Sequence, residues 1–90
     1  MTTQEVTVVN RLGMHARAAA KFVHLATRFQ SRVLVARDAR QMDGKSIMGL
    51  LLLAAACGST LTVSADGSDE LEAVQALTAL VASGFGEDTQ

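Results

Sequence analysis

The ninety-residue chain has no proline, tryptophan or tyrosine, only three phenylalanines and a single cysteine. Without proline, no loop is stiffened and no helix is broken by that residue. A lone thiol, Cys57, excludes both an intramolecular disulfide framework and a CxxC metal or redox centre. Three phenylalanines are too few to stack the bases of single-stranded nucleic acid. Neither sign of charge dominates: 8 basic residues face 9 acidic ones, for a net charge of −1. That balance argues against nucleic acid as a partner. The longest apolar run, Ile47 to Cys57, is about half the roughly 20 residues that span a bilayer. The opening MTTQEVTVVN alternates polar with apolar and carries Glu5, unlike a secretory signal. These absences predict a cytoplasmic protein without membrane insertion.

What is present reads as one globular domain, residues 1–90, with 49% hydrophobic composition. Glu5–Val9 (EVTVV) is β-branched and alternating, a first strand. Asn10–Gly13 then forms a loop. From Ala16 to Phe29 the pattern is helical: Ala18, Ala19, Phe22, Val23, Leu25, Ala26 and Phe29 share one face. Arg17, Lys21, His24 and Arg28 share the other. Arg32–Ala36 is a second strand, and Gln41–Met42 is a short third one. Ser46 caps a second helix that is expected to run to about Cys57 and stop near Gly58. Thr60–Ser64 is the fourth strand. Ser68 is expected to cap the last helix, with Asp69 and Glu70 in its first turn. That helix should bury Leu71, Val74, Leu77 and Val81 and stop at Gly84. The order βαββαβα predicts an α+β fold: an open-faced sandwich with a four-stranded antiparallel sheet and three helices on one face.

His15 stands immediately before the first helix, after Gly13 and two residues before Arg17. The first amides of a helix lack intrahelical partners, and the helix dipole favours an anion there. A phosphate on His15 would meet the amides of Ala16 and Arg17, with the Arg17 guanidinium as a further donor. The dipole also weighs against an imidazolium, which leaves a nitrogen lone pair free to attack phosphorus. Taken alone, a His-x-Arg at a helix start reads more simply as a capping histidine.

The wider motif decides otherwise. NRLGMHARAAAKFVHLA (Asn10–Ala26), GKSIMGLLLLAA (Gly44–Ala55) and DGSDELEAVQALTALVASGFGE (Asp66–Glu87) together resemble the histidine-containing phosphocarrier family HPr. That family belongs to the bacterial phosphoenolpyruvate-dependent phosphotransferase system. The resemblance implies that His15 accepts a phosphoryl group through Nδ1 and that Arg17 is the active-site arginine. It implies that Ser46 corresponds to the regulatory phosphorylation site of many relatives. The implied partners are the kinase Enzyme I as donor, IIA-type domains as acceptors and, in some lineages, a serine kinase. No cofactor is implied, and the expected state is a monomer. Two positions depart from the family pattern: Ala18 stands where proline is common, and Met14 where leucine is usual. The HARAA form is similar to branches concerned with regulation rather than sugar uptake.

Other features are weaker. His15 and His24 lie nine residues apart, about 13.5 Å along a continuous helix and on opposite faces, so they cannot share a metal. No metal site is expected. GKS at Gly44–Ser46 lacks the earlier glycine of a P-loop. Cys57 is expected to pack as a small apolar residue at a helix end. The second helix is apolar around most of its circumference. With Leu50 and Leu53 inward, Ile47, Met48 and Leu51 should remain exposed near the His15 loop as a docking patch. Arg17, Lys21 and Arg28 form an ordinary solvated face or a docking strip for an acidic partner. Two further readings remain. A phosphate-hydrolysing enzyme would need a group to position water, and no carboxylate stands near His15 in sequence. A regulatory binding module would use the phosphorylation of His15 and Ser46 to control docking, in nitrogen or carbon regulation, without passing phosphate onward.

Overall fold

In the computed structural model, which describes residues 1–87, every strand pairs antiparallel with its neighbour. The sequence-predicted domain boundary at residue 90 lies outside the described residues. The elements are β1 (Thr2–Thr7), α1 (Ala16–Ala26), β2 (Arg32–Arg37), β3 (Arg40–Asp43), α2 (Ile47–Leu52), β4 (Thr60–Asp66) and α3 (Glu70–Ala82). The sheet order is β1-β4-β2-β3, so the first strand lies beside the last. Period-two alternation sends Val33 and Val35 of β2 and Leu61, Val63 and Ala65 of β4 into the core. Phe22 of α1, Leu50 of α2 and Leu77 of α3 meet them there. α3 packs across β1 and β4, and α1 lies against α2 and α3. The α+β sandwich predicted from element order is therefore the fold.

Several boundaries shift. β1 begins at Thr2 rather than Glu5 because Thr2 pairs with Ala65, and it ends at Thr7 rather than Val9. α1 ends at Ala26, with Phe29 beyond it in the following loop. The larger correction is α2, which stops at Leu52 instead of Cys57. Ala54–Ala56 would extend a helix readily, but tertiary bonds claim this stretch. Arg40 donates to the Leu52 carbonyl at 2.8 Å and Arg37 to that of Leu53 at 3.1 Å. Ala54 takes a positive φ of 51°, and the Ala55 carbonyl turns to receive the Met14 amide at 2.8 Å. The chain after α2 thus becomes a floor under the His15 loop.

α3 departs in two ways. The residue flanking its start is Asp69, not Ser68. The Asp69 carboxylate turns away from its own helix and accepts from the Gln30 amide (2.9 Å), the Ser31 amide (3.0 Å) and the Ser31 hydroxyl. Leu71, expected inside, is exposed, and Ala73 and Thr78 join Val74, Leu77 and Val81 in the buried stripe. Cys57 also differs from expectation: it is exposed in the loop after α2, not packed at a helix end.

Candidate functional site

Gly13 sets the position of His15. Its φ of +67° turns the chain, and a Cβ there would lie 2.5 Å from the Ala55 carbonyl oxygen. Only glycine lets the loop sit this low on the floor. Buried Asn10 fastens the same loop by donating to the Gly13 carbonyl at 2.7 Å. His15 follows in extended conformation (φ −79°, ψ 178°) as the N-cap of α1. Its Nδ1 accepts from the Arg17 amide at 3.3 Å. The capping histidine and the expected acceptor nitrogen are thus the same atom. This bond is long and exposed, hence easily surrendered when another group takes the lone pair.

The opposite ring nitrogen is held by a residue that sequence reasoning missed. Glu87 Oε2 lies 2.7 Å from His15 Nε2, although the two are 72 residues apart in sequence. Glu87 Oε1 accepts from Asn10 Nδ2 at 3.1 Å, so one asparagine steadies both the loop and the carboxylate. Partial burial opposes ionisation of Glu87. The hydrogen bonds from His15 and Asn10 and the charges of His15 and Lys21 outweigh it, and the carboxyl titrates below its usual value. An ionised carboxylate can only accept, so Nε2 carries a hydrogen. In the neutral ring that leaves the lone pair on Nδ1, facing the start of α1.

Glu87 is delivered by a tight turn. Gly84, Phe85 and Gly86 have consecutive φ values of 74°, 58° and 73°. Phe85 is the non-glycine residue among them, and its buried ring anchors that strained backbone. Lys21 of α1 donates to the Phe85 carbonyl at 2.7 Å. Lys21, predicted as part of a docking strip, therefore also ties the C-terminal turn to α1. The sequence signal for this arrangement was GFGE itself: two glycines around an aromatic residue mark a turn, but nothing local names its target.

Around His15 an open cleft of about 530 Å³ is lined by Arg11, Leu12, His15, Ala16, Arg17 and Glu87. Arg17 is exposed on the polar face of α1 with Lys21 and His24, as the periodicity predicted, while Arg28 is exposed in the turn beyond the helix end. His24 lies on that face beyond the cleft. The cleft brings together the Nδ1 lone pair, the first amides of α1 and two guanidinium groups, an arrangement of donors that suits an anion beside that nitrogen.

Ser46 lies apart from the cleft, at the N-cap of α2. Its Oγ accepts from the Gly49 amide at 3.0 Å, as expected of a cap. Around α2, Leu50 and Leu53 are buried and Met48 is 67% exposed, matching the predicted faces. Ile47 is exposed at its rim. Leu51 is partly buried against the core, however, and Leu52 takes the exposed place predicted for it. In a helix this short, each residue's face depends on how the floor and the two arginines tilt it.

Among known proteins, residues 2–83 match the family model described as the PTS HPr component phosphorylation site. The chain is 53% identical over 87 residues to the phosphocarrier protein HPr of Cupriavidus necator, covering 97% of this chain and 98% of that one. Among solved structures it is similar to HPr from Thermoanaerobacter tengcongensis, with TM-score 0.94 and 41% identity over 98% of this chain and 99% of that one. A dimer of HPr from the same organism aligns with TM-score 0.77 at 41% identity, covering 97% and 100% of the two chains. Matched by the family model over residues 2–83 and similar to these proteins in sequence and fold over nearly its whole length, the chain belongs to the HPr phosphocarrier family of the phosphotransferase system.

Proposed function

We propose that this protein accepts a phosphoryl group on Nδ1 of His15 from a phosphoenolpyruvate-dependent kinase of the Enzyme I type and passes it to IIA-type domains. The observation that carries the reading is the pair of opposed bonds on the imidazole. Glu87 accepts a hydrogen bond from Nε2–H, and Nδ1 keeps a lone pair held only by a long bond from the Arg17 amide. Attack on phosphorus forms the Nδ1–P bond as the donor's bond to phosphorus breaks, and the ring becomes an imidazolium paired with Glu87. The Arg17 amide, relieved of its cap, and the Arg17 guanidinium then serve the phosphate oxygens. Onward transfer reverses these steps, and the ring departs neutral because Nε2 keeps its proton. The carrier has no turnover of its own, and no cofactor or metal takes part.

Successive partners dock on the α2 face through Ile47, Met48 and the partly buried Leu51, with Lys21 contributing charge at the α1 edge. Phosphorylation of Ser46 places negative charge beside that face and acts as an off switch. The regulatory alternative shares the docking face but passes no phosphate on. Radiolabelled phospho-protein mixed with a IIA-type domain separates the two. The carrier reading expects label to move to the acceptor, more slowly for Arg17→Ala with its melting midpoint little changed. Label that stays on His15 in the presence of every IIA-type domain of the same cell would favour the regulatory module.

A further inference from the structure

Two arginines, Arg11 and Arg17, line the cleft around His15. We propose that Arg11, in the loop before His15, is a second phosphate-binding residue that completes the charge of the phosphorylated site. The inference rests on His15 being the phosphoryl acceptor. Arg11 lines the cleft from the loop before His15, together with Leu12, and Arg17 lines it from α1. Among the described residues, no carboxylate is ion-paired with either guanidinium, whereas Glu87 is engaged by His15 and Asn10.

Counting charges shows why a second cation matters. A phosphoryl group brings nearly two negative charges at neutral pH. Once it is attached, the imidazolium and Glu87 cancel one another, so neither offsets the phosphate. Arg17 neutralises one of its charges. Arg11 is the cleft residue able to neutralise the other. The two side chains approach from different elements, one from the loop and one from the helix. They can therefore hold different phosphate oxygens, as guanidinium groups do in bidentate contacts. The loop carrying Arg11 is fixed on both sides of that residue, by Asn10 to the Gly13 carbonyl and by Gly13 against Ala55.

A small donor isolates this effect from protein docking. Potassium phosphoramidate reacts by attack of Nδ1 on phosphorus. The P–N bond of the donor breaks with its electron pair leaving on nitrogen, which departs as ammonia, and His15 remains as the imidazolium. The reaction is run on the His24→Ala chain, so that His15 is the sole histidine, and followed by ³¹P NMR. Arg11→Ala is expected to slow phosphorylation about two- to fivefold, the upper part of the range for losing one charged contact at an exposed site. It should also move the pH titration of the phosphoryl resonance upward, since a lost cation disfavours the dianion. Arg11→Lys should recover most of the titration shift, and circular dichroism should show all three variants equally folded. Equal rates and superimposable ³¹P titrations for the Arg11→Ala and parent chains would overturn the assignment while leaving His15 as acceptor. Absence of any phosphohistidine in the parent chain would instead overturn the carrier reading itself.

Discussion

Glu87 Oε2 sits 2.7 Å from Nε2 of His15, the ring nitrogen opposite the one that caps α1. Accepting from Nε2–H, this carboxylate leaves the lone pair of the neutral ring on Nδ1. Replacing Glu87 with alanine should leave the sheet and helices intact but release the ring. Ring ¹⁵N shifts of the neutral imidazole should report mostly the Nε2–H tautomer in the parent protein and a more even mixture in Glu87→Ala. The pair also responds to acid. The folded-state value of Glu87 is depressed, so its stabilising effect is present above the usual 4.5 and disappears as pH falls through the lower folded value.

Gly13 is tested by the smallest possible addition. A methyl group there meets the Ala55 carbonyl oxygen in a backbone conformation hostile to side chains. Gly13→Ala should lower stability by roughly 1–3 kcal/mol and slow phosphorylation of His15 through displacement of the loop. Urea titration and labelling rate measure the two effects. A variant as stable and as fast as the parent would remove the close approach from the account.

The fold was legible in the order of elements because each strand and helix carries its own periodicity. Phe22, Leu50 and Leu77 were assigned inward from local spacing alone, and they are buried, whereas the same spacing misplaced Leu71 and Leu51. The end of α2 was not legible. Ala54–Ala56 favour helix locally, and only the bonds to Met14, Arg37 and Arg40 overrule them. The capping positions of His15 and Ser46 were visible because a helix start is written beside each, while the phosphoryl roles expected of His15, Arg17 and Ser46 came from the resemblance of the wider motifs. Glu87 and Asn10 were not visible, since their roles arise from a contact between distant segments that no local pattern encodes.

Asp69 provides a second acid-sensitive clamp, away from the site. The Ser31 hydroxyl and the Gln30 and Ser31 amides all donate to its carboxylate, and these bonds outweigh the opposing effect of desolvation. Its folded-state value is therefore lowered from 3.8. The clamp should be fully formed above that ordinary value and lost as pH drops through the lower folded one. Asp69→Ala should melt below the parent protein at pH 7, and the gap should narrow toward zero under strongly acidic conditions. A gap independent of pH would assign the loss to packing instead.

At Ser46 two effects oppose one another. A negative group at the N-cap of α2 meets the Gly49 amide and the positive end of the helix, a gain of about 0.3–1 kcal/mol. The same group sits beside exposed Ile47 and Met48, where a docking partner would have to desolvate or face it. Ser46→Asp should therefore hold or raise the melting midpoint while slowing phosphoryl transfer from the protein kinase to His15. An unchanged transfer rate would refute repulsion at this face.

The central claim is that one histidine of the two carries the phosphoryl group. Incubation with phosphoenolpyruvate and the cognate Enzyme I-type kinase, followed by mass spectrometry and acid treatment, measures it directly. The account predicts one acid-labile phosphate per chain for the parent protein and for His24→Ala, and none for His15→Ala. Equal labelling of His15→Ala would contradict it.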